Sequence, residues 1–183
     1  DVYKRQVASP MWDSQSLGYQ YAHNFTEWRG RKIASGSDYQ GPGAQDVLSL
    51  SWDAKRGNLA VMANLLAGVG IVGQPGARNV YGFVLQPVYR ISPHFEGVFQ
   101  YQCSFGDGSV RLNSRYVPSV TRYPAWVDSM NSFYLGLNCY LCPESIDTVK
   151  LMLGLEYVTS HTDSATAKAF NGWSLYGAVR FKF

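Results

Sequence analysis

The chain is short of charge, of cysteine and of long apolar runs, and each shortage excludes a class of protein. Asp, Glu, Lys and Arg make up 16% of 183 residues, against about 25% in an average soluble domain. Disorder needs high charge and few aromatics, and a coiled coil needs Ala, Glu, Lys and Leu in bulk; neither fits. No run of about 18 apolar residues exists, so no membrane-crossing helix is expected. The longest candidate, 59–73, is interrupted by Asn64 and is rich in Ala and Gly. The three cysteines, Cys103, Cys139 and Cys142, are too few for a disulfide scaffold. Cys139-x-x-Cys142 lacks a second such pair or a His pair to complete a zinc site. In a strand its members lie about 10 Å apart, too far for a disulfide. The net charge of +3 is no nucleic-acid footprint. No metal or cofactor is expected.

What the chain has is aromatic and small residues: 13 Tyr, 9 Phe, 5 Trp and 18 Gly, with a mean hydropathy of only −0.17. The arrangement is alternating. From Trp173 to Phe183 one set is Trp173, Leu175, Gly177, Val179, Phe181 and Phe183, and the other is Ser174, Tyr176, Ala178, Arg180 and Lys182. Period two means a strand with two unlike faces. The same pattern fills 149–157, 133–141, 95–105, 81–91, 47–52 and 16–22. Segment 59–71 also suits a helix, and its place between hairpin partners favours a strand. Pro87 removes a ladder donor and predicts a bulge or kink.

The connections alternate too. Short turns are expected at 54–57, 92–94 and 143–147, and long polar loops at about 23–45, 72–79, 106–130 and 161–171. Strands of about ten residues, short turns at one end and long loops at the other match a transmembrane β-barrel. Leu, Val, Phe and Tyr would face lipid, and polar or small residues a lumen. A soluble β-sandwich also alternates, but its exterior is Lys/Glu-rich. Here the polar rows are small and mixed, and aromatics cluster at strand ends as in interfacial girdles.

The first six residues, Asp1-Val2-Tyr3-Lys4-Arg5-Gln6, resemble the in-frame translation of the transposon mosaic end used in sequencing libraries. Residues 1–6 are therefore expected to be a non-native scar, with 7–183 a single partial barrel domain. Neither an initiating Met nor a signal-peptide pattern opens the chain, and the native protein is expected to continue upstream.

The ending resembles a known family. The segment from Asn131-Ser132-Phe133-Tyr134-Leu135-Gly136 to Leu141, then Val149-Lys150-Leu151-Met152-Leu153-Gly154, then Phe170-Asn171-Gly172-Trp173 is similar to the end of the phosphate-selective porin O/P family. Tyr81-Gly82-Phe83, Phe99-Gln100-Tyr101-Gln102 and Val110-Arg111-Leu112-Asn113 look alike as well, over about residues 40–183. Trp173, Leu175, Val179, Phe181 and the terminal Phe183 resemble the C-terminal signal by which bacterial barrels are recognised for insertion. The resemblance implies a sixteen-stranded porin that assembles as a homotrimer in the outer membrane of a Gram-negative-type bacterium. It also implies contact with lipopolysaccharide and the barrel assembly machinery. With about eight strands present, this chain would be the C-terminal half, possessing an open curved sheet. Phosphate as a permeant is implied by the family alone.

Conduction needs a wet lumen and charge, with no catalytic group. Alternation points Arg90, Lys150, Arg180 and Lys182 inward, with Glu96 and Glu156. Arg111, Arg115 and Arg122 lie in loop 106–130, where they can line a constriction. Residues 78–122 carry a net +3, and guanidinium forks suit anions. A blander reading pairs Arg90 with Glu96 and Lys150 with Glu156 across a wide wall. An enzyme is not expected: His23, His94 and His161 are scattered, and no nucleophile elbow or metal-binding helix motif occurs. Two alternatives remain. One is a complete small eight-stranded barrel acting as adhesin or anchor, whose interior must be filled; inward Gly82, Gly136, Gly154 and Ala178 are small for that. The other is a soluble β-sandwich acting on carbohydrate, with Glu96 and Glu156 as the carboxylates.

Overall fold

Alternation of apolar and polar residues produces strands wherever it was expected, and the computed structural model contains no helix among the described residues, which are 2–6, 11–23, 43–72, 79–106, 112–113, 126–142, 149–161 and 171–181. The strands are β1 (Val2–Gln6), β2 (Ser14–His23), β3 (Gly43–Arg56), β4 (Leu59–Val72), β5 (Val80–Arg90), β6 (Phe95–Gly106), β7 (Leu112–Asn113), β8 (Trp126–Val127), β9 (Ser129–Tyr140), β10 (Val149–His161) and β11 (Asn171–Phe181). Nine of them form one antiparallel sheet in the order β1-β2-β3-β4-β5-β6-β9-β10-β11. Each strand of this sheet thus pairs with the next of its members in chain order, β6 passing over β7 and β8 to β9, and β1 and β11 are the two edges of an open sheet. Strands β7 and β8 make a separate two-stranded ribbon inside the longest connection.

Eight of the nine, β2–β6 and β9–β11, are those read from the sequence. The ninth comes from residues 2–6, whose backbone pairs with β2 from Val2↔Gln20 to Gln6↔Ser16. The ambiguous segment 59–71 is strand β4, paired along its length with β3 and β5. Its Ala, Leu and Met tolerate either state, and two adjoining ladders decide it.

Connections at one end are tight. Arg56 and Leu59 are paired, leaving a two-residue turn, Gly57-Asn58. Only Gly57 there has positive φ, +54°, the pattern of a II′ hairpin turn. The turn is therefore shorter than the sequence suggested, because β3 runs on through 54–56. The Gly57 amide donates to Asp13 Oδ2 at 2.6 Å. The next turn, at 91–94, is held by Ser92, whose Oγ accepts from the amides of His94 and Phe95 at 3.3 and 3.2 Å.

Pro87 makes no bulge. Leu85↔Tyr101 and Val88↔Val98 keep one register, so no residue is inserted. The ladder to β6 lapses at Gln86 and Pro87, while the β4 side keeps Val61↔Pro87. Gln100 Nε2 donates to Gln86 Oε1 at 3.1 Å and spans the gap. A side-chain bond thus substitutes where the imino acid has no N–H.

The faces are inverted relative to a soluble sheet. On β9 and β10 the polar rows are covered: Ser132 is 1%, Glu156 4% and Val158 0% exposed. The apolar rows are open: Leu135 is 65% and Leu153 62% exposed, and Leu175 on β11 is 82%. Burying one such side chain stabilises by about 1.5–3 kcal/mol. Phe99, Phe133, Leu135, Leu153, Leu155, Leu175, Val179 and Phe181 are on average about half exposed, so leaving them in water would forgo roughly 6–12 kcal/mol, comparable to the ~5–15 kcal/mol stability of a whole domain. The outer face therefore calls for an apolar solvent.

Candidate functional site on the polar face of the sheet

Register fixes which side chains share the polar face. It runs from Ser16 and Gly18 on β2 through Ser51 and Asp53, Met62 and Asn64, Gln86 and Arg90, Glu96 and Gln100, Ser132 and Asn138, and Lys150 and Glu156 to Ser174 and Arg180 on β11. The opposite face carries no Asp, Glu, Lys or Arg on β2, β4–β6 or β9–β11; Asp46 and Arg56 lie towards the two ends of β3. Aromatics band its long-loop end. Tyr101, Phe133, Tyr157 and Trp173 are successive register partners across β6, β9, β10 and β11. Ring centroids are 5.0 Å apart for Tyr101–Phe133 and 4.7 Å for Tyr157–Trp173. Trp173 and Phe181 are eight residues apart on one strand, about 26 Å. Tilted by about 40°, that separation spans roughly 20 Å of depth, close to the apolar band of a barrel.

Two clusters organise the polar face. The first lies at the short-turn end of β5, β6, β9 and β10. Arg90 stands opposite Glu96, with Nη1 3.8 Å from Oε2. Glu96 Oε1 also accepts from Asn138 Nδ2 at 2.7 Å and from Tyr140 Oη at 2.9 Å. Arg90 Nη2 donates to the Pro93 carbonyl at 2.6 Å, and its guanidinium lies 4.2 Å from the Tyr140 ring centroid. Lys150 Nζ approaches that ring at 5.2 Å, and Arg180 is the register partner of Lys150.

The second cluster is deeper in the wall. Glu156 is buried, with its carboxylate accepting from Ser132 Oγ and, at 2.6 Å, from Tyr176 Oη. Beside it the Tyr134 ring lies over the register partners Gly136 and Gly154. A Cβ at Gly136 would fall 2.6 Å from Tyr134 Oη, and one at Gly154 would clash with Oη, Cε2 and Cζ of the same side chain. The two glycines are small because a tyrosine occupies the space above them.

These placements settle several expectations. Arg90 and Glu96 are paired as expected. Lys150 and Glu156 are not: both lie on β10, six residues and about 20 Å apart, with Tyr140 and Arg180 flanking one and Tyr134 and Ser174 the other. The small inward glycines 136 and 154 do not by themselves mark an empty lumen, since Tyr134 fills above them. Arg111, Arg115, Arg122, Lys182 and Phe183 lie outside the described residues. Trp173, Leu175, Val179 and Phe181 sit exposed on the outer face. The three cysteines are free thiols, and no metal-binding group of His, Cys, Asp or Glu occurs among the described residues. His94 is a turn residue whose Nδ1 contacts the Tyr140 carbonyl at 3.0 Å.

Sequence reasoning missed Asn138, Tyr134, Tyr140 and Tyr176 as the polar partners of the wall, and Asp53 and Lys55 as wall charges. Their parity was readable; the ladder registers that bring them beside Glu96 and Glu156 were not. Asp53 and Lys55, with Ser14, Ser16, Met62 and Gln86, line a cavity of about 310 Å³ on the same face.

No family model matches the chain, and no curated protein matches it. Among solved structures it is similar to the Yersinia pestis outer membrane protein Ail, determined as a backbone structure in a phospholipid bilayer nanodisc. The identity is 16% over 91% of this chain and 97% of that chain, with a TM-score of 0.32.

Proposed function

We propose that the chain forms part of the wall of a transmembrane β-barrel in a bacterial outer membrane, through which small hydrophilic solutes diffuse passively, with a preference for anions. The observation that carries this reading is the inversion of the sheet: an exposed apolar face without a charge from end to end of seven strands, and a polar face that is covered on β9 and β10. Only a closed barrel satisfies every backbone group in lipid, and an open sheet with edges at β1 and β11 needs further strands to close. The resemblance to phosphate-selective porins supports a larger, homotrimeric barrel inserted by the assembly machinery beside lipopolysaccharide, and phosphate as one permeant. The test is planar-bilayer conductance of the full-length protein under a salt gradient. Discrete open steps with an anion-to-cation permeability ratio above one support the reading. A ratio of one removes the anion preference, and the lack of any step removes the channel.

One observation favours a second reading, a complete eight-stranded barrel serving as anchor or adhesin: Tyr134 packs over two wall glycines, and Ser132, Val158 and Glu156 are covered. That reading requires β2 to pair with β11, whereas β1 holds the free side of β2. A heat-modifiable monomer of this chain alone, without conductance, would favour it. A soluble sandwich requires the apolar rows to be inside a second layer, and they are open.

A further inference from the structure

Charge on the polar face is distributed unevenly along the strands. Among the described residues of β2–β6 and β9–β11, that face carries Asp53, Lys55, Arg90, Glu96, Lys150, Glu156 and Arg180. All but Glu156 lie within four residues of the end of their strand at the short-turn rim, next to the connections at 57–58, 91–94 and 141–148 or, for Arg180, at the carboxyl end of β11. At their long-loop ends the same rows finish with Ala22, Gly43, Val72, Val80, Gly106, Met130, Ser160 and Gly172, none of them charged. A general preference of charge for strand ends would mark both rims equally, and here it marks one.

Within this collar the carboxylates and cations are unequally engaged. Glu96 is held by Arg90, Asn138 and Tyr140, and Arg90 is pinned in turn by the Pro93 carbonyl and the Tyr140 ring. Lys150 and Arg180 are different. They are direct cross-strand partners of like charge, an arrangement that destabilises a ladder. No carboxylate among the described residues pairs with either one. Lys150 instead lies against the Tyr140 ring, and Arg180 is exposed. Two adjacent cations on a wall, with Glu96 already held by Arg90, Asn138 and Tyr140, attract a mobile counter-anion.

We infer that the charge filter of the channel is this collar at the short-turn rim, with Lys150 and Arg180 as its specificity-determining cations for small anions. The inference rests on the channel reading above and places selectivity away from the long loops. Full-length protein in planar bilayers, under a dilute KCl gradient, tests it through the double variant Lys150→Gln/Arg180→Gln. The anion-to-cation permeability ratio should fall by about twofold or more, and the fall should shrink as salt shortens the Debye length. Lys150→Glu/Arg180→Glu should lower the ratio further. Where the double variant does not insert, Arg180→Gln, altering one exposed side chain, should show a smaller fall of the same sign. A conducting wild-type channel whose ratio in dilute salt is unmoved by these changes overturns the collar and leaves the channel reading standing. A wild type that never conducts overturns both.

Discussion

At Gly154 the wall has no room for a methyl group, because the Tyr134 ring occupies the position where a Cβ would stand. Gly154→Ala should therefore destabilise the folded protein by about 1–3 kcal/mol, the range for overpacking, read as a lower urea midpoint in lipid vesicles. The double change Gly154→Ala/Tyr134→Ala should recover part of that loss; equal or greater destabilisation in the double variant would show that the ring is not the obstacle. Glu156 is the other pivotal residue of this face. Its carboxylate is buried and accepts from Ser132 and Tyr176, so Glu156→Ala should cost about 1–3 kcal/mol through the partners it strands. Gln keeps one acceptor oxygen and should cost less, and the same unfolding measurement ranks the two.

At the scale of a single strand, the two faces of β10 predict opposite tolerances. Leu153→Arg places a charge on the open apolar face and should destabilise by about 2–4 kcal/mol near a bilayer midplane. Met152→Gln on the adjoining row should cost far less. Similar losses for both, measured by unfolding from vesicles, would argue that Leu153 does not meet lipid. Much of this level was legible beforehand. The parity of Leu151, Leu153 and Leu155 against Lys150, Met152 and Gly154 follows from period two alone, and the structure keeps it. The failures occurred where a long-range ladder decides. Pro87 was expected to bulge or kink its strand; no residue is inserted, since flanking pairs on both sides hold one register and Gln86–Gln100 bridges the lapse. Lys150 and Glu156 were set as a pair because their charges are complementary, although one strand carries both. Tyr134 has the parity of the polar row, but its position over Gly136 and Gly154 depends on the β9–β10 register, which no local pattern encodes.

Across the whole molecule, the apolar face, whose charges on β2–β6 and β9–β11 are confined to Asp46 and Arg56 towards the ends of β3, defines what the protein must be dissolved in. In single-tryptophan variants, Trp173, 66% exposed at the long-loop end of that face, and Trp52, at the short-turn end of β3, should both be quenched by brominated lipids, and most by bromines placed near the headgroup. Equal quenching of both by an aqueous quencher, without any effect of the lipid, would contradict an outward apolar belt. The fold class was readable because alternation repeats over eight strands. The extra edge strand formed by residues 2–6 was not, since those residues were set apart as foreign on the resemblance of their sequence.

The chain-neighbour order of the sheet also dictates how it comes apart under load. Every ladder joins consecutive strands of the sheet, and the β2–β3 and β6–β9 junctions cross the two longest connections. A tip pulling on the carboxyl end therefore peels β11 from β10, then β10 from β9, with no knot or crossover to release. Force spectroscopy on the protein in a bilayer should record a staircase of rupture peaks. The contour-length increments would follow strand-plus-connection lengths, with long strides at the β6–β9 and β2–β3 steps.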